Sequence, residues 1–153
     1  MPSQCGAPGG KKLARELLGS PEANPVLGLR GVRLCLQKPD FFLTQPIYDP
    51  AKARIFLDDY ASEHGALGRP ILVGILPLVS AKHAHFLHNE VPGIVIPEET
   101  RLRMERAGGD AGAEGVRLAV ELIRQVKPWA GGVYIMPQFH RYDLVADIIE
   151  AVK

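Results

Sequence analysis

The sequence predicts a parallel α/β fold, and three observations lead to this prediction. From Asp40 onward, short apolar segments of strand length alternate with longer segments of helical periodicity. One short segment, ILVGILPL at 71–78, is continuously apolar, as expected of a strand buried on both faces of a sheet. Each of the three predicted strands is followed closely by a proline. Such alternation is typical of a parallel sheet covered by helices, although three strands are few for a sheet of that kind.

Length and composition fit one soluble domain. The chain has 153 residues, of which 46% are hydrophobic and 23% charged, and its formal net charge is +1. This small charge, carried by scattered basic residues, predicts no nucleic-acid partner and no anionic membrane surface. No apolar run approaches the ~20 residues that span a bilayer. Because Cys5 and Cys35 form neither a disulfide framework nor a metal-ligand spacing, we expect a cytoplasmic protein.

Residues 1–39 differ from the remainder and are predicted to form a separate, irregular segment. Glycines and a proline at 6–10 predict a flexible tail, and KKLARELL at 11–18 predicts two helical turns that end before Pro21. Between 26 and 36, apolar residues and arginines mix without a clean period. The sequence leaves the structure of this segment undetermined.

The first predicted strand, at 41–44, leads into a helix over 50–63. Asp49 is placed to cap this helix, Pro50 suits its first position, and Gly65 ends it. Its apolar residues recur on one face and are Phe56, Leu57, Tyr60 and Ala61.

Three further helices are predicted between the second strand, at 71–78, and the third. SAKHAHFLH at 80–88 predicts a helix capped by Ser80. Pro97 begins a short charged helix, EETRLRMERAG, which we expect to be solvated and to form internal ion pairs. Asp110 opens the most regular helix of the chain, whose apolar face consists of Val116, Ala119, Val120 and Ile123.

The final predicted unit is a strand followed by a helix. The strand is VYIM at 133–136, and the helix begins near Asp143. The helix residues expected to be buried are Leu144, Val145, Ile148 and Ile149.

The three predicted strands all end next to a proline. The residue pairs at these ends are Gln45–Pro46, Leu76–Pro77 and Met136–Pro137. In parallel α/β proteins ligands bind at the carboxyl ends of strands, but a proline also simply marks where a ladder stops. Gln45 can offer both a donor and an acceptor to a planar heterocycle. Both interpretations stay open at this stage.

Histidines cluster in the second predicted helix, where His85 and His88 share a face and His83 precedes them. No set of neighbours completes three zinc ligands, so we predict no metal site. One histidine is expected to line the strand-end crevice while the others are solvated. The residues after the last strand either line the same crevice or form an exposed turn; they are His140, Arg141 and Tyr142. No phosphate loop, nucleophile elbow or Cys–His arrangement predicts a catalytic residue.

Several quoted segments together resemble one family. DFFLTQPIYD, ILVGILPL, SAKHAHFLHNEVPGIVIPEE, AEGVRLAVELI and GGVYIMPQFHRYD are similar, in this order, to the C-terminal part of methylenetetrahydrofolate reductase. The similarity is greatest to the reductase half of bifunctional homocysteine methyltransferase–reductase proteins. The similarity covers residues 40–153, while in residues 1–39 only the short segment EANP resembles the family.

The resemblance implies a fold, a reaction and a substrate site. The implied fold is a (β/α)₈ TIM barrel that binds FAD. The implied reaction, part of cytoplasmic one-carbon metabolism and methionine biosynthesis, reduces 5,10-methylenetetrahydrofolate to 5-methyltetrahydrofolate with NAD(P)H. Gln45 matches a strand-end glutamine that contacts the pterin of the folate. The resemblance also implies that His83 is a second polar contact to the folate. It implies an apolar or aromatic wall of the substrate site that consists of Leu87, Tyr134 and Met136.

The departures from the family are equally informative. The chain holds about three of the eight repeats of such a barrel, and the family's catalytic glutamate and most of its FAD site have no counterpart. Leu34 stands where the family has a lysine near FAD. One hypothesis is that residues 1–39 are translated out of frame. We therefore expect a fragment that is inactive alone. The alternative is a non-enzymatic partial barrel that binds a small heterocycle, forms a homo-oligomer or associates with a complementing chain.

Overall fold

The computed structural model of the protein describes residues 40–153. All predictions for residues 1–39 lie outside the described residues: the irregular segment with its flexible tail, the helix at 11–18, the state of the two cysteines and the out-of-frame hypothesis. Within 40–153 the prediction of a parallel α/β fold is confirmed, because three parallel strands alternate with helices.

The described residues form three strands, five α-helices and one 3₁₀ turn. In chain order these elements are β1 (Phe42–Pro46), α1 (Pro50–His64), β2 (Ile71–Ile75), α2 (Ala81–Glu90), α3 (Glu98–Ala107), the 3₁₀ turn (Gly108–Asp110), α4 (Ala111–Val126), β3 (Gly132–Ile135) and α5 (Tyr142–Val152).

The sheet has the order β1-β2-β3, and both neighbouring pairs are parallel. The register of β2 and β3 is regular, with Gly74 opposite Tyr134. The register of β1 and β2 shifts between Leu43 and Pro46. Because of this irregularity β1 runs to Pro46, two residues beyond its predicted end. Pro46 fits there because the next residue, Ile47, supplies the N–H that bonds to β2.

Local side-chain chemistry fixes where the first two helices begin. The Asp49 carboxylate accepts a hydrogen bond from the Lys52 N–H at 3.1 Å, and Pro50 occupies the first position of α1. The Ser80 hydroxyl oxygen accepts from the His83 N–H at 3.1 Å at the start of α2. Both predicted caps are confirmed, and each satisfies a backbone donor that a helix start leaves unpaired.

The two faces of the sheet differ in what covers them. Helices pack on one face, where the core residues of the strands are Phe42, Ile71, Val73, Ile75, Val133 and Ile135. The opposite face, here called the open face, consists of Leu43, Leu72, Gly74, Gly132 and Tyr134. Leu43 is 50% exposed. The prediction that β2 is buried on both faces is therefore wrong for Leu72, which is only half-buried.

Helix α4 packs most extensively among the helices, as its sequence predicts. It contacts β2, α1, α3 and α5. Ala119, Val120 and Ile123 of its predicted apolar face are buried, and Val116 is half-buried against the core. Gly115 lies against Leu78, so closely that a Cβ at 115 would overlap the Leu78 carbonyl. The absent side chain is what lets α4 approach the loop after β2.

Three predictions about the other helices need correction. The predicted stripe of α1 is half-buried, and its fully buried residue is Ala53, which the pattern missed. In α5, Val145 is half-buried and Ile149 is 45% exposed, and the buried residues of this helix are Leu144 and Ile148. The charged side chains of α3 reach other helices instead of pairing internally: Arg103 forms ion pairs with Glu114 and Glu121, and Glu105 is hydrogen-bonded to His85.

Candidate functional site

The carboxyl ends of the strands lie at one edge of the sheet because all three strands are parallel. Pairing continues just past two of these ends. The Ile47 N–H donates to the Gly74 carbonyl at 3.2 Å, and the Met136 N–H donates to the Ile75 carbonyl at 2.9 Å. The residues that leave β1 and β3 therefore lie on either side of β2. We call this region the strand-end edge, and in parallel sheets it is where ligands bind.

Thr44 fills the break in the ladder between β1 and β2. Its hydroxyl oxygen accepts a hydrogen bond from the Gly74 N–H at 3.0 Å and its hydroxyl donates to the Gln45 carbonyl at 2.7 Å. The Tyr134 hydroxyl donates to the Thr44 carbonyl from the far side of β2. Burial raises the pKa of Tyr134, which keeps this hydroxyl protonated as a donor. The hydroxyl that ends the first apolar strand thus has a structural role.

Gln45 differs from Thr44 because one side-chain atom lacks a hydrogen-bond partner among the described residues. Its Oε1 atom is buried and has no hydrogen-bond partner among residues 40–153. The atom faces Gly93, so closely that a Cβ at 93 would lie 2.8 Å from it. A buried polar atom without a partner costs free energy. The side-chain amide is therefore the strongest candidate for a ligand contact at the strand-end edge.

Helix α2 lies across the strand-end edge, from the β3 side to the β1 side. The His83 ring in its first turn lies 5.4 Å, centroid to centroid, from the ring of Phe139, which follows β3. The turn after α2 contains Gly93, which meets Gln45 of β1. Helix α2 has 10 residues, which at ~1.5 Å each span about 15 Å. Two strand spacings cover about 10 Å, so one helix reaches both ends of the candidate site.

His83 is a neutral hydrogen-bonding group in this site. It is 7% exposed, and its Nδ1 accepts from the Val79 N–H at 3.4 Å. Burial lowers the pKa of His83 below its ordinary value, so the ring is uncharged at neutral pH. We assign the proton to Nε2 because Nδ1 is the acceptor. His83 can therefore donate one N–H without bringing a charge into the site.

The loop after β3 has an unusual backbone that the sequence did not predict. Phe139 and His140 are the non-glycine residues of the described chain with positive φ, at 51° and 59°. Phe139 is 70% exposed, and its ring meets the His83 ring at an interplanar angle of 72°. His140 and Tyr142, which follow it, are exposed and contact each other. The sequence pattern indicated His140 and missed Phe139, whose importance depends on a contact with α2.

The structure brings some of the predicted site residues together and separates others. Gln45 and Tyr134 both approach Gly74, and His83 lies at the other end of α2. Met136 is partly buried against the core. Leu87 is 6% exposed and belongs to the core cluster.

The remaining two histidines of α2 have other partners. His85 Nε2 lies 2.7 Å from Glu105 Oε1 of α3. His88 Nδ1 accepts from the Ile96 N–H at 3.1 Å. Of these three histidines, His83 is the one whose ring contacts a residue that follows β3. The expectation that the others are simply solvated is wrong for His88, which is half-buried and holds the chain after α2.

A concavity lies among the helices, next to the segment that connects β1 to α1. This cavity of about 370 Å³ is bordered by the start of α1, by α3 and by α4. Its arginine, Arg103, bonds Glu121 through two nitrogens at 2.7 and 2.9 Å and Glu114 at 2.8 Å. Bonding to Arg103 lowers the pKa of Glu121. Because these charges satisfy each other, the cluster acts as a clamp between α3 and α4.

The strand-end edge fits only part of what the resemblance implies. Among residues 40–153 no three metal-ligating side chains cluster. Arg141 after β3 is paired with Asp143 at 2.7 Å, while Lys82 of α2 is exposed to solvent. The amide of Gln45, the neutral ring of His83 and the nearby aromatic rings suit a planar ring, and these residues do not assign a site for the phosphates of FAD.

Comparison with known proteins gives no family for this chain. No protein-family model matches the sequence, and no curated protein matches it significantly. Between residues 40 and 153, every helix is too short or too polar to cross a bilayer. Function is therefore inferred from the geometry of the strand-end edge and from the resemblance of the sequence.

Proposed function

We propose that residues 40–153 bind a planar heterocycle at the strand-end edge, and that this heterocycle is the pterin of a reduced folate. The observation that carries the proposal is the buried, unpartnered Oε1 of Gln45 at the end of β1. A ligand that donates a hydrogen bond to this atom removes the cost of burying it. A pterin has amide-like and amino donors along one edge, in the plane of its rings.

The neighbouring groups suit the same class of ligand. The Tyr134 hydroxyl approaches Gly74 beside the end of β1, and farther along the edge His83 offers an uncharged N–H and Phe139 an exposed ring. Binding sites for small heterocycles combine apolar walls with a few well-placed polar groups. No charged group of this edge is needed for such recognition, which favours a neutral ring over a phosphate or a carboxylate.

The wider proposal extends the resemblance to the parent enzyme. In that reaction NAD(P)H and a bound FAD would supply the redox chemistry that reduces 5,10-methylenetetrahydrofolate to 5-methyltetrahydrofolate. The residues of this chain would bind and orient the folate, and no residue of 40–153 is assigned to proton or hydride transfer. Support comes from the consecutive strand order and from helices on a single face, which are features of adjacent repeats in a (β/α)₈ barrel. FAD binding would then require residues beyond the strand-end edge.

A binding experiment with the full chain tests the proposal. Calorimetric titration with 5-methyltetrahydrofolate should give saturable binding, whereas purified protein should lack flavin absorbance and should not oxidise NAD(P)H. Gln45→Leu should weaken folate binding about tenfold or more, because the hydrogen bond between the Gln45 amide and the pterin is lost. Gln125→Leu makes the same change at an exposed position of α4 and should bind normally. Failure of the wild-type chain to bind the folate would refute the proposal.

The open face favours a second candidate function, association with a complementing chain. Leu43 is half exposed beside Leu72, and the outer edges of β1 and β3 have no strand partner among residues 40–153. Unpaired strand edges next to exposed apolar residues promote pairing with another chain. Light scattering should then show an oligomer that Leu43→Lys dissociates. A wild-type monomer would count against this candidate.

A further inference from the structure

The loop after β3 holds an aromatic ring in an unfavourable setting. Two successive residues, Phe139 and His140, adopt left-handed backbone conformations that side chains other than glycine rarely occupy. Two tight turns keep them there: the Arg141 N–H donates to the Gln138 carbonyl and the Tyr142 N–H donates to the His140 carbonyl, each at 2.9 Å. Strain of this kind clusters at ligand sites and switches.

The strained backbone directs Phe139 outward instead of into the core. At 70%, its side chain is the most exposed large hydrophobic residue between 40 and 153. Its ring meets the buried His83 ring in a T-shaped contact. His83 is itself anchored through Nδ1 to the Val79 N–H. An exposed ring that is supported by a buried neighbour is well suited to stack on a planar partner.

The position of Phe139 limits which part of a ligand it can reach. Phe139 follows β3, whereas the unpartnered Gln45 oxygen lies at the end of β1. The ends of β1 and β3 are two strand spacings apart, a total distance of about 10 Å. A single bicyclic ring that is held at Gln45 is too short to reach Phe139 and stack on its face. A ligand with two planar groups joined by a short linker is long enough to contact both residues.

We infer that Phe139 is a ligand-contacting residue whose ring stacks on the second planar group of an elongated ligand held by Gln45. This inference rests on the proposed function, in which the first planar group is a pterin. The second group is then an aminobenzoyl ring joined to that pterin. His83 acts as a positioning residue that holds the Phe139 ring.

Two probes separate the two ends of the site. Folic acid contains both the pterin and the aminobenzoyl group, and pterin-6-carboxylate contains the pterin alone. In calorimetric titrations of the full chain, Phe139→Ala should weaken folic acid binding about fivefold, the range expected for a lost aromatic contact. The same variant should bind pterin-6-carboxylate as the wild type does. Gln45→Leu should weaken both probes.

Control variants separate stacking from bulk. Phe139→Leu keeps apolar volume and loses the aromatic face, so it should resemble Phe139→Ala, whereas Phe139→Trp should retain folic acid binding. Ile55→Ala removes another exposed apolar side chain, on α1, and should change neither affinity. Because Phe139 is exposed, circular dichroism of its variants should match that of the wild type.

The outcomes distinguish this inference from the proposed function. If Phe139→Ala leaves folic acid affinity unchanged while Gln45→Leu weakens both probes, the inference is overturned and the proposed function stands. Equal weakening of both probes by Phe139→Ala also overturns the inference, because the ring would then contact the pterin. If the wild-type chain binds 5-methyltetrahydrofolate but neither probe, the inference is overturned and the proposed function stands. If it binds none of the three compounds, the proposed function and the inference fail together.

Discussion

The Tyr134 hydroxyl donates a hydrogen bond to the main-chain carbonyl of Thr44, although their strands are not neighbours. The bond passes over the central strand at Gly74. A Cβ on Gly74 would lie 2.8 Å from the Tyr134 hydroxyl oxygen and 3.2 Å from the Gln45 carbonyl carbon. Gly74 in turn donates its N–H to the Thr44 hydroxyl oxygen. The missing side chain at 74 is what allows one tyrosine to tie the two outer strands together.

Gly74→Ala should therefore destabilise the protein by about 1–3 kcal/mol, the usual cost of forcing a methyl group into a packed site. Tyr134→Phe alone should cost about 1 kcal/mol for its lost hydrogen bond. In the Tyr134→Phe background the alanine should cost less, because the closest clashing atom has been removed. Urea unfolding of the four proteins measures this coupling, and strictly additive costs would contradict it.

Gln45→Leu should leave the free energy of unfolding unchanged or raise it by up to ~1 kcal/mol. The reason is that leucine replaces a buried oxygen that has no hydrogen-bond partner between residues 40 and 153. A stability gain combined with a loss of folate binding is typical of a residue kept for function. Thermal unfolding with and without 5-methyltetrahydrofolate provides the test. A loss of more than about 1 kcal/mol would instead assign Gln45 a structural role.

Gly115→Ala should destabilise the chain severely, by more than about 3 kcal/mol, or prevent folding. The new Cβ would overlap the Leu78 carbonyl oxygen, a backbone atom that cannot rotate away. Gly112→Ala, in the same helix, is the matched control because its Cβ would meet no atom closer than 3.7 Å. This control should stabilise α4 by about 0.5–1 kcal/mol through higher helix propensity. Similar effects of the two substitutions on urea unfolding would refute the packing argument.

The elements that the sequence predicted well are those specified by neighbours in the chain. The caps at Asp49 and Ser80 depend on residues three positions away, and the buried stripe of α4 depends on helical periodicity. The parallel sheet followed from alternation of such segments. Local chemistry was sufficient for all of these.

The parts of the candidate site that the sequence missed depend on long-range contacts. Phe139 gains its role from His83, which is 56 positions earlier, and Gln45 is enclosed by Gly93. The role of Thr44 follows from a register shift opposite Gly74. No periodicity of a single segment reports on such pairs. Gln45 was identified through its position at a strand end. Only the packed structure reveals that its side-chain oxygen has no hydrogen-bond partner among residues 40–153.

His140→Gly should raise the free energy of unfolding by about 0.5–1 kcal/mol. Glycine adopts a positive φ without the steric cost that histidine bears at 59°, although it loses more entropy on folding. Gln138→Gly, in the same loop, relieves no positive φ and should destabilise. Opposite signs for the two substitutions in thermal unfolding support backbone strain at 140. Equal destabilisation would show that the His140 side chain matters more than its backbone.

His83 should make the protein less stable as the pH falls below about 6.5. Burial lowers the pKa of His83 in the folded state, so above the unfolded pKa both states are neutral and its contribution to stability is fully present. Below the pKa of His83 in the unfolded state, the unfolded chain binds the proton first. Stability is then lost until the pH reaches the lower pKa of His83 in the folded state. His83→Gln removes this proton uptake and should flatten the dependence between about pH 7 and pH 5.

His88 must be measured alongside, because its pKa is also lowered, by burial and by the nearby Arg101 and His85. The depressed pKa values of Glu114 and Glu121 place their loss of stability at lower pH, as those carboxylates become protonated in the folded state. The window above about pH 5 therefore isolates the histidines. We expect His83→Gln and His88→Gln each to reduce the slope in urea unfolding, and the double variant to reduce it further. An unchanged slope in His83→Gln would mean that the ring is protonated as easily in the folded site as in water, and His83 could not then serve as the neutral donor assigned to it.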